Sequence, residues 1–137
     1  MSELIKICVI GAGNWGMNHI KTLDSLGNLF GVVDNDLNKL NQVQDEFPGC
    51  EVFSNIDNAL ENDFDGFIVA TSASSHFLVA KKIIQNKKHV LIEKPMTLSS
   101  IDAKILCDLA LKNNVNLMVG HLLLFHPAFI KIKQMLD

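Results

Sequence analysis

The sequence predicts an α/β domain built on a doubly wound, mostly parallel sheet, and three observations predict it. Short, almost continuous apolar runs of strand length recur along the chain. Stretches with apolar residues at three- and four-residue intervals alternate with them, and glycine, proline or asparagine marks most boundaries. Strands buried on both faces read as such runs, and strand–helix alternation implies right-handed crossovers that put helices on both sides of one sheet. With 137 residues, 48% apolar and 20% charged, the chain has the size and composition of one globular domain. Disordered and fibrous classes are excluded.

Leu4 to Ile10 (L-I-K-I-C-V-I) is the first strand, ending in a glycine cluster at Gly11, Gly13 and Gly16. Asn14 to Leu26 carries Met17, Ile20 and Leu23 at helical intervals and stops at Gly27, suited to a left-handed cap. Leu29 to Val33 is the second strand, closed by Asp34, and Leu37, Leu40, Val43 and Phe47 form a helical stripe stopped by Pro48. A short strand at Glu51–Phe53 and a short helix at Ile56–Leu60 follow. Gly66 to Ala70 is the fourth strand, and His76 to Gln85 a helix with Phe77, Ala80 and Ile84 inward. The fifth strand is His89–Ile92, and the next helix, Ser99 to Asn113, has Ile101, Ile105, Leu109 and Lys112 in register. Asn116 to Gly120 is the sixth strand. Beyond it the apolar segment from His121 to Pro127 leads to a helix at Ala128–Leu136, a leftover apolar stretch that suggests a neighbour.

Composition narrows the function. A net charge of −3 without a clustered basic stretch argues against nucleic acid as a partner. No apolar run approaches the roughly 20 residues of a membrane span, and the N-terminal residues lack a basic segment followed by an apolar one, so no membrane partner and a cytoplasmic location are expected. Three cysteines without a C-x-x-C pair indicate neither a disulfide framework nor a thiolate metal site. His121 and His126 lack the i, i+4 spacing of a helical zinc site, and no metal is expected.

Gly11-Ala12-Gly13-Asn14-Trp15-Gly16 matches G-x-G-x-x-G. It follows a buried strand, opens a helix, and precedes an acid, Asp34, at roughly the 20-residue spacing of a ribose-binding carboxylate. This is the dinucleotide-binding fingerprint of a Rossmann domain. The first glycine permits the sharp turn, the second lets backbone N–H groups approach a pyrophosphate, and the third lets helix pack on strand. Unpaired N–H groups and the positive end of the helix dipole face the anion. Asp34 is expected to accept from both hydroxyls of the adenosine ribose. The next residue is Asn35, and no Arg lies nearby to neutralise a 2′-phosphate, so NAD is expected in preference to NADP.

Three spaced motifs, Gly11 to His19 (G-A-G-N-W-G-M-N-H), Ala70 to His76 (A-T-S-A-S-S-H) and Glu93-Lys94-Pro95, give the chain a resemblance to a known family. It resembles the nucleotide-binding half of the glucose–fructose oxidoreductase and inositol dehydrogenase (Gfo/Idh/MocA) family. The segments N-W-G-M-N-H and G-H-L-L-L-F-H-P look most like the branch that oxidises the 3-hydroxyl of nucleotide-linked sugars, the UDP-N-acetylglucosaminuronate type.

The resemblance implies NAD as cofactor and a sugar or nucleotide-sugar substrate. It places Thr71, Ser72 and His76 along the nicotinamide side, with Glu93 in the E-K-P turn and His121 near the same end. Lys94 is the implied catalytic residue, an ammonium that hydrogen-bonds the substrate hydroxyl and favours its deprotonated form as hydride leaves. One departure stands out: Thr71-Ser72-Ala73 replaces the family's usual Thr-Pro-Asn or Thr-Pro-Ser, and the loop loses a fixed φ.

Family members are over twice as long, with a second domain that completes the sugar site and supplies a histidine base from a D-x-x-x-H motif. The expected partition is therefore 1–120 as dinucleotide-binding domain and 121–137 as linker and helix. A homo-oligomer is expected for the full-length form, and this chain alone is expected to bind NAD without completing a dehydrogenation. The competing readings are a stand-alone dinucleotide-binding or redox-sensing module that docks through Leu122 to Ile130, and a domain for another adenine nucleotide such as S-adenosylmethionine, which Glu93-Lys94-Pro95 disfavours.

Overall fold

A computed structural model describes residues 4–136. The expected partition's outermost residues, 1–3 and 137, lie outside the described residues. Six strands, β1 (Ile7–Ile10), β2 (Leu29–Val33), β3 (Glu51–Phe53), β4 (Gly66–Val69), β5 (His89–Ile92) and β6 (Leu117–Val119), pair in the order β3-β2-β1-β4-β5-β6, every pair parallel. The helices are α1 (Asn14–Ser25), α2 (Leu37–Glu46), α3 (Ile56–Leu60), α4 (Ala73–Gln85), α5 (Ser100–Asn113) and α6 (Pro127–Leu136), with a 3₁₀ turn at Leu122–Phe125 before α6.

The period of two along each strand splits the core between two faces. Cys8 and Ile10 of β1, Val33 of β2 and Phe67 and Val69 of β4 point to one side, where they meet α3, α4 and α5. Val9 and Val32 point to the other and meet α1 and α2 through Ile20, Leu40 and Val43. Phe53, Phe64 and Phe67 stack edge to face on the first side, with centroids 6.0 and 5.7 Å apart. The strand order reverses between β1 and β4. Chains leaving the two strands turn opposite ways, and a crevice opens at their carboxyl ends.

Several boundaries differ from the sequence expectations. β1 begins at Ile7, not Leu4, because its neighbours β2 and β4 offer partners only from there on, and Leu4 and Ile5 are exposed. α4 begins at Ala73, so His76 is its fourth residue and not its first. Leu37 is exposed on the outer side of α2.

The inner stripe of α5 is corrected at Ile101, Ile105 and Lys112, all exposed, while Leu109 packs on the core as expected. Ile101 and Ile105 are 72% and 40% exposed, whereas Leu106 and Ala110 are buried against Ala80, Ile83 and Ile84 of α4. Bulky β-branched residues suggested the inner stripe, but alanines let two helices approach closely. The left-handed cap at Gly27 (φ +72°) follows expectation, and Asn114 (φ +54°) ends α5 in the same way. No helix among the described residues is long and apolar enough to cross a membrane. From Leu122 to Leu136 every residue is exposed, in line with the leftover apolar segment seen in the sequence.

Candidate functional site

The crevice at the reversal of strand order has a volume of about 510 Å³, within the range of small-molecule sites. Its walls come from β1, β2, β4 and the loops after them. Gly11, Gly13, Asp34, Asn35, Thr71 and Ser72 all line it.

Each glycine of the loop has a visible reason. Gly11 adopts φ +97°, and a Cβ there would meet the Ala70 carbonyl carbon at 2.9 Å. A Cβ on Gly16 would overlap the Gly11 carbonyl oxygen, so α1 lies directly on the turn. At Gly13 a Cβ would touch nothing within 4 Å, which leaves open room where backbone meets crevice. The helix start is bare as well: α1 has no side-chain cap and no acid in its first turn. Helices α2, α3 and α5 are capped by Asp36, Asn55 and Ser99, whereas α1 starts at Gly13, which has no side chain to cap it, and Ser72 at the start of α4 forms no cap. Uncapped N–H groups with open space before them suit an anion.

Asp34 is 8% exposed and rigidly held. The Ala12 N–H donates to its Oδ2 at 2.7 Å and the Asp36 N–H to its Oδ1 at 2.9 Å. Each oxygen keeps lone-pair capacity for one hydroxyl of a ribose diol. The first bond also ties the glycine loop to the end of β2, so the loop and the Asp34 carboxylate form one unit. Lys39, on the first turn of α2, places its Nζ 3.7 Å from Asp34 Oδ2. Sequence reasoning missed Lys39 because it sought an arginine beside Asp34, whereas the helical turn returns a lysine to the same spot. Ser54 and Asn55, after β3, also line this end and carry no sequence motif of their own.

A second polar cluster lies one strand further, at the ends of β5 and β6. The Glu93 carboxylate is buried, with Oε1 2.7 Å from His19 Nε2 and Oε2 accepting from the Lys94 N–H at 3.3 Å. Gly120 closes over it: a Cβ there would sit 3.1 Å from both carboxylate oxygens. His76, 1% exposed, sets Nδ1 2.8 Å from the Pro95 carbonyl oxygen and Nε2 3.0 Å from that of Thr71. A neutral ring donates to one of these two acceptors at a time. His19 from α1 and His76 from α4 thus grip the E-K-P turn from opposite faces of the sheet, with Lys94 exposed between them and the Lys94–Pro95 bond cis.

His76 is a buried strut between loops, and its ring offers the crevice no free nitrogen. Asn14, Trp15 and His121 are exposed, and with Gly16, His76, Glu93 and Lys94 they stand outside the crevice lining. His19 had no assigned role in the sequence. Its partner is distant along the chain, and only the histidine ending G-x-G-x-x-G-x-x-H hinted at it. Among the described residues no group of three or more His, Cys, Asp or Glu side chains could hold a metal ion.

Residues 5–121 match the family model described as "Oxidoreductase family, NAD-binding Rossmann fold". The chain belongs to the Gfo/Idh/MocA oxidoreductase family. It is an NAD-binding oxidoreductase domain related to sugar and nucleotide-sugar dehydrogenases. UDP-N-acetylglucosamine 3-dehydrogenase of Acidithiobacillus ferrooxidans is 34% identical over 126 residues, 92% of this chain and 40% of that protein. The crystal structure of GenD2 from gentamicin A biosynthesis, in complex with NAD, superposes with a TM-score of 0.92 at 30% identity, covering 98% of this chain and 39% of that one. WlbA dehydrogenase from Bordetella pertussis, in complex with NADH and UDP-GlcNAcA, gives a TM-score of 0.80 at 26% identity over 85% of this chain and 37% of that one. This Gfo/Idh/MocA chain spans about two fifths of the length of these relatives.

Proposed function

We propose that this chain is the cofactor half of an NAD-dependent dehydrogenase acting on a nucleotide-linked sugar. The observation that carries the cofactor reading is the coupling of Asp34 to the glycine loop through the Ala12 N–H, beside a helix start that lacks any side-chain cap. The substrate reading rests on likeness to UDP-N-acetylglucosamine 3-dehydrogenase and to WlbA with bound UDP-GlcNAcA.

The residues present fit the dinucleotide. Gly13 leaves space where a pyrophosphate would sit, the N–H groups from Gly13 to Gly16 would receive it, and Asp34 and Asn35 would hold the adenosine ribose. Asp34 favours NAD over NADP, because a 2′-phosphate would set like charges in contact. Thr71 and Ser72 line the crevice with the glycine loop, and Glu93, Lys94 and His121, outside that lining, would border the nicotinamide half as the family resemblance implies.

Bound NAD supplies a hydride acceptor. Lys94 hydrogen-bonds the reacting hydroxyl and stabilises negative charge developing on its oxygen. Glu93, held by His19, and Pro95, held by His76, orient it. Residues 1–120 serve as cofactor domain and 121–137 lead toward the rest of a longer enzyme, which completes the sugar pocket, supplies the base and forms a homo-oligomer. By itself the chain binds NAD and does not turn over. A reducing, cytoplasmic location accords with free Cys8, Cys50 and Cys107.

The test is Lys94→Ala in the product of the complete reading frame that carries this chain, assayed for NADH formation with UDP-N-acetylglucosamine and its uronate. Turnover should fall by about 10²–10⁴ while the dissociation constant for NAD barely changes. Undiminished turnover removes Lys94 from the chemistry.

A further inference from the structure

The end of the crevice that receives the adenosine ribose carries a cation as well as a carboxylate. Lys39 sits in the first turn of α2 with its ammonium 3.7 Å from Asp34 Oδ2, and its side chain is 44% exposed and free to swing. Asp36, the other acid nearby, has its Oδ1 occupied by the Asn38 N–H at the start of α2. Asn35, Ser54 and Asn55 complete this end without charge. The Asp34 oxygens are fixed by backbone donors and cannot turn away from a ligand. Lys39, on its four-carbon stem, can.

We propose that Lys39 is a specificity-determining residue, and that the Asp34–Lys39 pair, rather than Asp34 alone, sets how strongly the site discriminates NAD from NADP. With a 2′-hydroxyl in place, the ammonium stays over Asp34 Oδ2 and the carboxylate takes the ribose diol. With a 2′-phosphate in place, the ammonium moves onto the phosphate, with the Ser54 hydroxyl beside it, and offsets part of the repulsion from Asp34. The pair is neutral where a lone aspartate would be negative, so the penalty on NADP is smaller than the carboxylate alone would impose. Removing the carboxylate leaves a ready phosphate site, and removing the lysine leaves a strict NAD site. This rests on the proposed dinucleotide site and adds to it the residue that grades its selectivity.

Titration of NADH and NADPH by fluorescence into the 137-residue chain, native and as Lys39→Met, Lys39→Arg, Asp34→Asn and the Asp34→Asn/Lys39→Met double variant, tests it. Lys39→Met should weaken NADPH about tenfold more than NADH, the size of one phosphate–cation contact in a half-exposed site. Lys39→Arg should keep the native ratio of the two constants. Asp34→Asn should lower that ratio by about tenfold or more in favour of NADPH, and the double variant should give the gain back. Circular dichroism melts of each variant check folding. If NADH binds and Lys39→Met moves both constants equally or neither, Lys39 has no part in selectivity and the dinucleotide site stands. If NADH fails to bind the native chain, or Asp34→Asn leaves its affinity untouched, the dinucleotide reading itself falls.

Discussion

Replacing Glu93 by Gln removes the negative charge at the centre of the grip on the E-K-P turn while keeping shape. The Glu93 side chain is 9% exposed and its His19 partner contact is 2.7 Å, with the histidine side chain 21% exposed. A hydrogen bond to a charged group contributes about 1.5–3 kcal/mol, and removing one partner of a fully buried pair costs about 3–5 kcal/mol. Partial exposure of His19 puts this pair at the lower end. Gln also turns an amide N–H₂ toward either His19 or the Lys94 N–H, and Gly120 leaves no room for it to move aside.

The expected loss for Glu93→Gln is about 2 kcal/mol, or roughly 6–10 °C in Tm for a domain of this size. A double-mutant cycle with His19→Ala, read by urea unfolding, should return a coupling energy of about 1–2 kcal/mol. Salt at about 0.5 M should leave most of it intact, since shielded pairs are screened little. The exposed Lys104–Asp108 pair, 3.0 Å apart on α5, is the control and should couple by no more than about 0.5 kcal/mol. A coupling energy for His19 and Glu93 within error of that control would refute the reasoning.

Gly16→Ala should be among the most disruptive single-methyl changes in the chain. The new Cβ overlaps the Gly11 carbonyl oxygen, so α1 must lift from the turn, and both Tm and NAD affinity should drop, by calorimetry, whereas Gly27→Ala should cost only about 1 kcal/mol. Ellman's reagent should titrate Cys107 alone in the native chain and all three cysteines in urea, because Cys8 and Cys50 are buried. Burial, with Glu51 and Asp24 adding to it, pushes the Cys50 thiol up to about 12, and burial raises Cys8 well above its ordinary value. The unfolded thiols ionise from about pH 8.5 and the folded ones do not, so this stability is present below that pH and lost as pH climbs above it. Cys50→Ala should therefore lose less stability than the native chain between about pH 7.5 and 10, as read by urea midpoints.

Much of this architecture was legible because parallel strands buried on both faces leave unbroken apolar runs, and the edges of β2, β3 and β5 fall where those runs do. The α5 register was legible only in part. Leu109 packs on the core as read, but Ile101 and Ile105 do not, and the partner that selects Leu106 and Ala110 lies on α4, invisible to periodicity. In the site, Gly11, Gly16 and Asp34 could be read in sequence because local backbone needs fix residue types at fixed spacing. Lys39 and His19 could not, since each acts through a partner that tertiary structure brings close. His76 was read for its motif, and only the structure revealed that its buried ring is wedged between the Thr71 and Pro95 carbonyls, donating to one of them at a time.

A crystal structure of the chain grown with saturating NAD tests the central claim most directly. The pyrophosphate should lie within hydrogen-bond distance of the N–H groups from Gly13 to Gly16, with both adenosine ribose hydroxyls on the Asp34 carboxylate. A dinucleotide bound elsewhere, or clear density for an empty crevice at saturation, would contradict it.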